Sequence, residues 1–448
     1  MTVTQPGEAE LLRVMLRSPG YLKTLLLAAL VGIPVSLAAF WFLAGMHELE
    51  HLVWSSLPRS LGFDAPPWWW PLPLLLLSGV LVGLIALHLP GAGGHIPAAG
   101  MTLGGSSPGT LPGVLLAAAA SLPLGATLGP EAPLIALGGG LAVLLRNLTR
   151  APSTPQATVL MGAAGAGAAI AAIFGSPLIA AVLLIEVVGV GGPQLFAVML
   201  PALLSSGIGS LVFLGFGRWT GLDTGTLGIK KGAGSFPRLD APDVLWGLLL
   251  ALVTGLVMYL VSELGRRVAV FVTRRTVLRT ALCALAAGAC GALYALLTGR
   301  TPVDVSSSGQ GTLVQLTSDP QAWGTGALVA VVLFKCLAYA LCLGSLRGGP
   351  VFPAVFLGAA AGVLVAPLPG LGLMPAMAAG MAASTATMLR LPVSSVVLVT
   401  MLLGSAAMTP VVILAAVVAF VVTELLPAHT PLSGHAPARG PAPAADPR

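Results

Sequence analysis

A ten-residue stretch of this chain returns, altered, 220 positions later. GPEAPLIALG occupies 129–138 and GPVFPAVFLG occupies 349–358, and five positions coincide: both prolines, both terminal glycines and one leucine. A second pair, PLIAAVLLI at 177–185 and PVSSVVLVT at 392–400, lies 215 positions apart. Offsets this similar imply one duplication, with halves at about 70–215 and 275–426. The duplicated material is apolar. The chain is 56% hydrophobic and 8% charged, where an ordinary soluble domain is about 25% charged. An all-α polytopic membrane protein follows. Several apolar runs, such as 112–128 and 177–191, fall short of the ~20 residues of a full span, so many helices are expected to be short, tilted or broken. A duplicated membrane chain whose Gly/Pro-interrupted segments fall at matching positions has the pattern of a transporter, with its site where the halves meet.

Three Gly/Pro stretches carry the chemistry: GAGGHIPAAG (91–100), LGPEAP (128–133) and RGGPVFPAVFLG (347–358). Each reads as a loop entering a helix N-terminus. Proline costs nothing in a first helical turn, and glycine lets backbone approach a ligand closely. The unpaired N–H groups and the positive end of the dipole then favour an anion. Half-helices of this kind bind an anion with no full positive charge, which suits conduction, because a fixed cation would hold the ion longer. Glu131 stands alone as a charge in the second stretch. An acid inside a membrane segment is a functional candidate by default, and a carboxylate at a helix N-terminus imitates an anion there.

In order and spacing, GGHIP (93–97), GPEAP (129–133) and GPVFP (349–353) resemble the three motifs of the CLC family of chloride channels and anion/proton exchangers. FGSPLIAAVLLIEVV (174–188), DVSSSGQGTL (304–313) and LRLPVSSVVLVTM (389–401) fall where family segments would, and the resemblance covers about 20–426. It implies an inverted repeat of two halves, a homodimer with one pathway per subunit, and transport of a small monovalent anion, chloride first among them. It implies no enzyme activity, no cofactor and no metal. Glu131 matches the family's gating and proton-accepting glutamate. The anion pathway is expected to run past Gly93, Gly94, His95, Ile96, Pro97, Gly129, Pro130, Ala132, Gly349, Pro350, Val351 and Phe352.

The departures from the family pattern are specific. The internal proton glutamate aligns with Val187, with Glu186 one residue earlier; this tilts the reading to a passive channel, with antiport through Glu131 as the alternative. The central serine aligns with Gly94 and the next glycine with His95, which reads first as a hydrogen-bonded packing residue and second as a titrating anion contact. Ser433 is the nearest candidate for the inner-gate tyrosine. Pro130 and Pro350 stand where the pattern has backbone N–H donors, and proline has none.

Other features bound the reading. HELEH (47–51) fits a zinc-protease pattern, with His47 and His51 as ligands and Glu48 as base; the preferred reading is a helix leaving the membrane. Lys335 and Arg390 are expected to snorkel. Trp68, Trp69 and Trp70 resemble an interfacial belt, and Cys283, Cys290, Cys336 and Cys342 face lipid or core. The net charge of +6 is read as topology rather than nucleic-acid binding. Arg13, Arg17 and Lys23 ahead of the first apolar run place the N-terminal segment (1–20) in the cytoplasm of a cell with the chain in its plasma membrane. The transmembrane domain spans 21–426, and the Pro/Ala-rich tail, 427–448, is expected to be disordered.

Overall fold

The computed structural model describes residues 13–427, apart from 15, 101–106, 150–154, 189–191, 223 and 225–238, and also Leu432. Ser433 and nearly all of the tail lie outside the described residues, as do residues 1–12.

The helices follow the Gly/Pro punctuation. They are α1 (Pro19–Ser60), α2 (Pro71–His88), α3 (Leu111–Ser121), α4 (Glu131–Leu148), α5 (Pro155–Phe174), α6 (Pro177–Val188) and α7 (Gly192–Thr220), then α8 (Ala241–Val272), α9 (Thr276–Thr298), α10 (Gln310–Ser318), α11 (Thr325–Ser345), α12 (Val351–Val365), α13 (Leu373–Leu389), α14 (Pro392–Leu403) and α15 (Thr409–Leu425). Among the described residues nine helices are long and apolar enough to cross a membrane; α3, α6, α12, α13 and α14 are apolar but shorter. The long apolar run at 392–426 breaks at Gly404, which takes a left-handed φ of 63° as the cap of α14. Pro410 then sits in the first turn of α15, where its missing N–H costs nothing.

The packing of one half is repeated in the other. α4 packs on α5 as α12 packs on α13; α5 meets α7 as α13 meets α15; α1 lies on α5 and α7 as α8 lies on α13 and α15. The closest crossings use glycine in both halves. A Cβ on Gly138 would strike the Gly165 carbonyl, and one on Gly165 would strike Gly138; Gly358 and Gly380 exclude each other's Cβ in the same reciprocal way. Without a hydrophobic force between helices in lipid, such close backbone approach supplies the packing. The glycine pairs repeat at the sequence offsets, 358 − 138 = 220 and 380 − 165 = 215.

Three contacts join an element to its own counterpart: α2 to α9, α6 to α14, and Gly129 to Gly349. Self-paired elements of this kind mark a pseudo-two-fold relating the halves. The glycines form an isolated antiparallel bridge in which Gly129 N–H donates to the Gly349 carbonyl (2.8 Å) and Gly349 N–H donates to the Gly129 carbonyl (2.5 Å).

Several expectations are corrected by burial. Helix α1 does not end at HELEH. It runs on to Ser60 through a wider turn at 52–56, because Trp54 is buried and donates its indole N–H to the Pro123 carbonyl (3.0 Å). Trp68 and Trp69 are exposed as a belt requires, but Trp70 is buried and donates to the Val53 carbonyl (3.2 Å). Lys335 does not snorkel. It is fully buried, and its ammonium donates to the carbonyls of Asp304 (3.2 Å), Val305 (3.0 Å), Ser306 (3.4 Å) and Ser307 (3.2 Å), with the Phe356 ring at 4.9 Å. A loop of converging carbonyls has met the charge inside the protein. Arg390 stays partly exposed, 3.6 Å from Glu424. The four cysteines carry free thiols; Cys283, Cys290 and Cys342 are buried and Cys336 is half-buried.

Candidate functional site

The bridged glycines bring two helix N-termini together. α4 begins at Glu131 with Pro130 as its cap, and α12 begins at Val351 with Pro350 as its cap. The symmetric position of Glu131 is therefore Val351 (131 + 220), so the carboxylate has no counterpart across the axis. It is fully buried and accepts the Phe352 N–H at 2.8 Å. The N–H groups of Val351 and of Glu131 itself also face it. The anion-like end of the Glu131 side chain thus occupies the N-terminus of the opposite half's helix, the place where unpaired donors favour negative charge. Its other oxygen, Oε2, is buried with no hydrogen-bond partner. Leaving a buried polar atom unpaired costs about 1–3 kcal/mol, so the seat satisfies one carboxylate oxygen and leaves the second exposed to that penalty.

The glycines also make room for the carboxylate. A Cβ at Gly129 or at Gly349 would overlap it. Pro130 and Pro350 lack N–H groups as the sequence requires, and the Pro350 carbonyl is held by the hydroxyl of Tyr339, a fully buried side chain on α11 (2.5 Å). Tyr339 was not legible as a site residue, since α11 carries no Gly/Pro motif. Phe352 is buried, its ring edge-on to Phe174 at 5.9 Å.

Cavities approach Glu131 from either side along the chain. One, of about 60 Å³, lies beyond the end of α2 and reaches the residues that follow Glu131; Gly93, Gly94, His95, Pro97, Ala132 and Pro350 line it, with Arg347. A second, of about 30 Å³, reaches the preceding residues Leu128 and Pro130, and shares His47, Glu50, Ser308 and Gln310 with a third of about 320 Å³. Neither cavity is lined by Glu131, Gly129, Gly349, Val351 or Phe352, so neither reaches the seat of the carboxylate. Ile96 lines a separate cavity of about 210 Å³.

Gly91, Ala92, Gly93 and Gly94 all have positive φ (78°, 50°, 74° and 97°), which accounts for the glycine-rich composition of this turn. His95 is half-buried, with Nε2 2.6 Å from the Gly100 carbonyl. Arg347, the first residue of the third motif, is 9% exposed; its guanidinium donates to the carbonyls of Leu346 (3.1 Å) and Ala92 (3.3 Å), and Nε has no partner.

Glu186 is not free to move. Its carboxylate accepts the N–H groups of Val393 (3.0 Å) and Ser394 (2.7 Å) and the Ser394 hydroxyl (2.6 Å), capping α14 from α6. Val187 beside it is half-buried. The HELEH residues diverge: His47 and Glu50 border the cavities near α1, while Glu48 and His51 are exposed. Among the described residues no group of three His, Cys, Asp or Glu side chains is placed to hold a metal.

Comparison with known proteins agrees with this architecture. Proteins named "Putative ion-transport protein YfeO" from Salmonella newport (strain SL254) and Salmonella agona (strain SL483) are each 26% identical over 354 residues, 75% of this chain and 79% of theirs. Two solved structures share the fold. A slow cyanobacterial Cl⁻/H⁺ antiporter superposes with a TM-score of 0.74 at 21% identity, covering 90% of this chain and 94% of that one. A CLC-type fluoride/proton antiporter gives 0.67 at 19% identity, covering 94% and 97%. The family model described as voltage gated chloride channel matches residues 79–424. The inverted repeat, the paired helix N-termini and this match place the chain in one group: it belongs to the voltage gated chloride channel (CLC) family.

Proposed function

We propose that the protein conducts a small monovalent anion, chloride first among candidates, along a pathway that the Glu131 carboxylate closes. Anion transport is the family's activity; the finer reading rests on one observation, the Glu131 carboxylate held by the Phe352 N–H at the start of α12 (2.8 Å). An anion and this carboxylate compete for the same donors. Protonation of Glu131 weakens its claim, because a neutral carboxyl is a poorer acceptor for a helix N-terminus. The side chain then withdraws and frees the donors at the start of α12 for the anion.

The capping role of Glu186 and the apolar Val187 favour passive flow, since the carboxylate nearest the family's second proton position is committed to α14. Antiport is the second reading. The unpartnered Oε2 of Glu131 supports it as a place to carry a proton, and the two structural neighbours are antiporters by title. The protein is taken to be a homodimer in a bacterial plasma membrane, its N-terminus cytoplasmic.

Reconstituted vesicles under a chloride gradient test both readings. Anion flux without proton movement is the expected result. Uphill proton movement that vanishes in Glu131→Gln establishes exchange instead, and absence of any anion flux sinks both.

A further inference from the structure

The cavity beyond α2 contains a charge that helix-dipole binding does not require. Arg347 lines it, two residues ahead of the bridged Gly349. The side chain is 9% exposed, and its Nε has no hydrogen-bond partner. Two of its other nitrogens hold backbone carbonyls, those of Leu346 (3.1 Å) and Ala92 (3.3 Å). The Ala92 carbonyl is delivered by the left-handed turn at 91–94. The Arg347 N–H is fixed by the Ser121 hydroxyl (3.2 Å). Among the described residues no carboxylate lies within ion-pair distance of this guanidinium. A buried cation normally has a counter-ion, because a desolvated charge without one is costly. Among the described residues its hydrogen-bond partners are backbone dipoles.

A second observation concerns what is missing opposite it. Pro350 lines the same cavity and offers no N–H, and Gly94 offers no hydroxyl. Ala132, Pro133, Ile135 and Ala136 complete much of the wall with apolar atoms. His95 also lines the cavity, with Nε2 engaged at the Gly100 carbonyl (2.6 Å), so the fixed positive charge of the lining is that of Arg347. Arg347 also lines the cavity of about 210 Å³ that includes Thr276, Thr280 and Ser345, so its side chain stands in the wall between two cavities.

We propose that Arg347 is the cationic contact for the transported anion and sets its affinity and selectivity, replacing the donors that Pro350 and Gly94 lack. The counter-ion absent from the protein is the transported anion itself. The carbonyls of Leu346 and Ala92 draw off part of the guanidinium's hydrogen-bonding capacity, so the ion is attracted without being held as a full ion pair. A planar guanidinium with several fixed donors is not interchangeable with an ammonium; arginine here favours anions that accept in its plane. The proposal rests on the reading of the protein as an anion transporter.

Flux measurements on reconstituted wild type, Arg347→Lys and Arg347→Gln test it. Half-saturating chloride is expected to rise about tenfold in Arg347→Gln, the size of one charge-assisted contact. Maximal flux is expected to change less. Arg347→Lys should recover much of the affinity while shifting the order of preference among chloride, nitrate and fluoride. Unchanged half-saturation and selectivity in Arg347→Gln overturn the proposal. So does loss in both variants of maximal flux alone, which marks a purely structural arginine. Where neither variant folds, the wild type decides: anomalous diffraction from bromide should locate an ion beside Arg347, and its absence there overturns the assignment. A wild type that binds bromide beside Arg347 but passes no anion keeps the site and removes the transport reading.

Discussion

The carboxylate of Glu131 accepts the backbone N–H of Phe352 across the interface between the two halves, 221 residues away in sequence, at 2.8 Å. One half supplies the carboxylate and the other the helix N-terminus that seats it; on the proposed function these are a plug and its seat. The positions related by the repeat, Val351 and Ala132, carry neither a second plug nor a charge, so the seat faces a single competitor.

Removal of the plug's charge is the first consequence. Glu131→Gln should give anion flux that no longer responds to pH, whereas wild-type flux should rise as pH falls, because protonation releases the carboxylate from the α12 donors. Radioactive chloride efflux from vesicles between pH 4.5 and 7.5 reads this directly. A variant that keeps the wild-type pH response would remove Glu131 from gating.

Space at the seat matters as much as charge. A Cβ on Gly349 would overlap the Glu131 carboxylate, so Gly349→Ala should dislodge it while leaving its charge. Flux at neutral pH is expected to increase severalfold and to approach that of Glu131→Gln. Equal neutral-pH flux in Gly349→Ala and wild type, with both proteins folded, would show that the carboxylate rests elsewhere.

The symmetric frame was legible before any coordinates. The offsets of 220 and 215 locate the paired caps at Pro130 and Pro350, and they relate the glycine crossings at Gly138 with Gly165 and Gly358 with Gly380. Duplication leaves a one-dimensional trace because each half must solve the same packing problem. Single long side chains that reach between helices leave none. Lys335 reads as a snorkelling residue until the carbonyls of 304–307 are seen around its ammonium; Tyr339 is invisible to motif reading for the same reason, and Arg347, though it opens the third motif, shows its place in the cavity wall only in the structure. HELEH misled by its position: a titratable cluster near the end of an apolar run looks like a helix exit, yet the buried Trp54 carries the helix onward.

Lys335 should therefore be a stability residue. Lys335→Met keeps the length of the side chain and leaves the buried carbonyls of Asp304, Ser306 and Ser307 without their donor, while that of Val305 keeps the Thr127 hydroxyl (3.2 Å). With about 1–3 kcal/mol for each unsatisfied buried group and partial recovery through relaxation, a loss of about 3 kcal/mol is expected. Thermal unfolding of the detergent-solubilised protein should show a clearly lowered midpoint. A midpoint equal to that of wild type would mean that the loop 304–307 holds itself.

Glu186 offers the contrasting test. Its three hydrogen bonds cap α14, and loss of a helix cap costs about 1 kcal/mol. Glu186→Gln should lower the unfolding midpoint slightly and leave the coupling of anions to protons as it is in wild type. A change in proton-to-anion stoichiometry, measured with a pH dye alongside chloride efflux, would instead assign Glu186 to proton transfer.

The contacts of α2 with α9, α6 with α14 and Gly129 with Gly349 have a historical consequence. Elements that meet their own counterparts in this way describe the interface of two identical half-length chains, so the fused protein keeps the geometry of a dimer inside one polypeptide. In such an ancestor the position of Glu131 would occur twice around one axis. Two carboxylates there would repel each other within a single seat, and two valines would leave it unplugged. Fusion freed the copies to diverge, and the proposed gate is then the product of that divergence: a lock and a bolt made from the same ten residues.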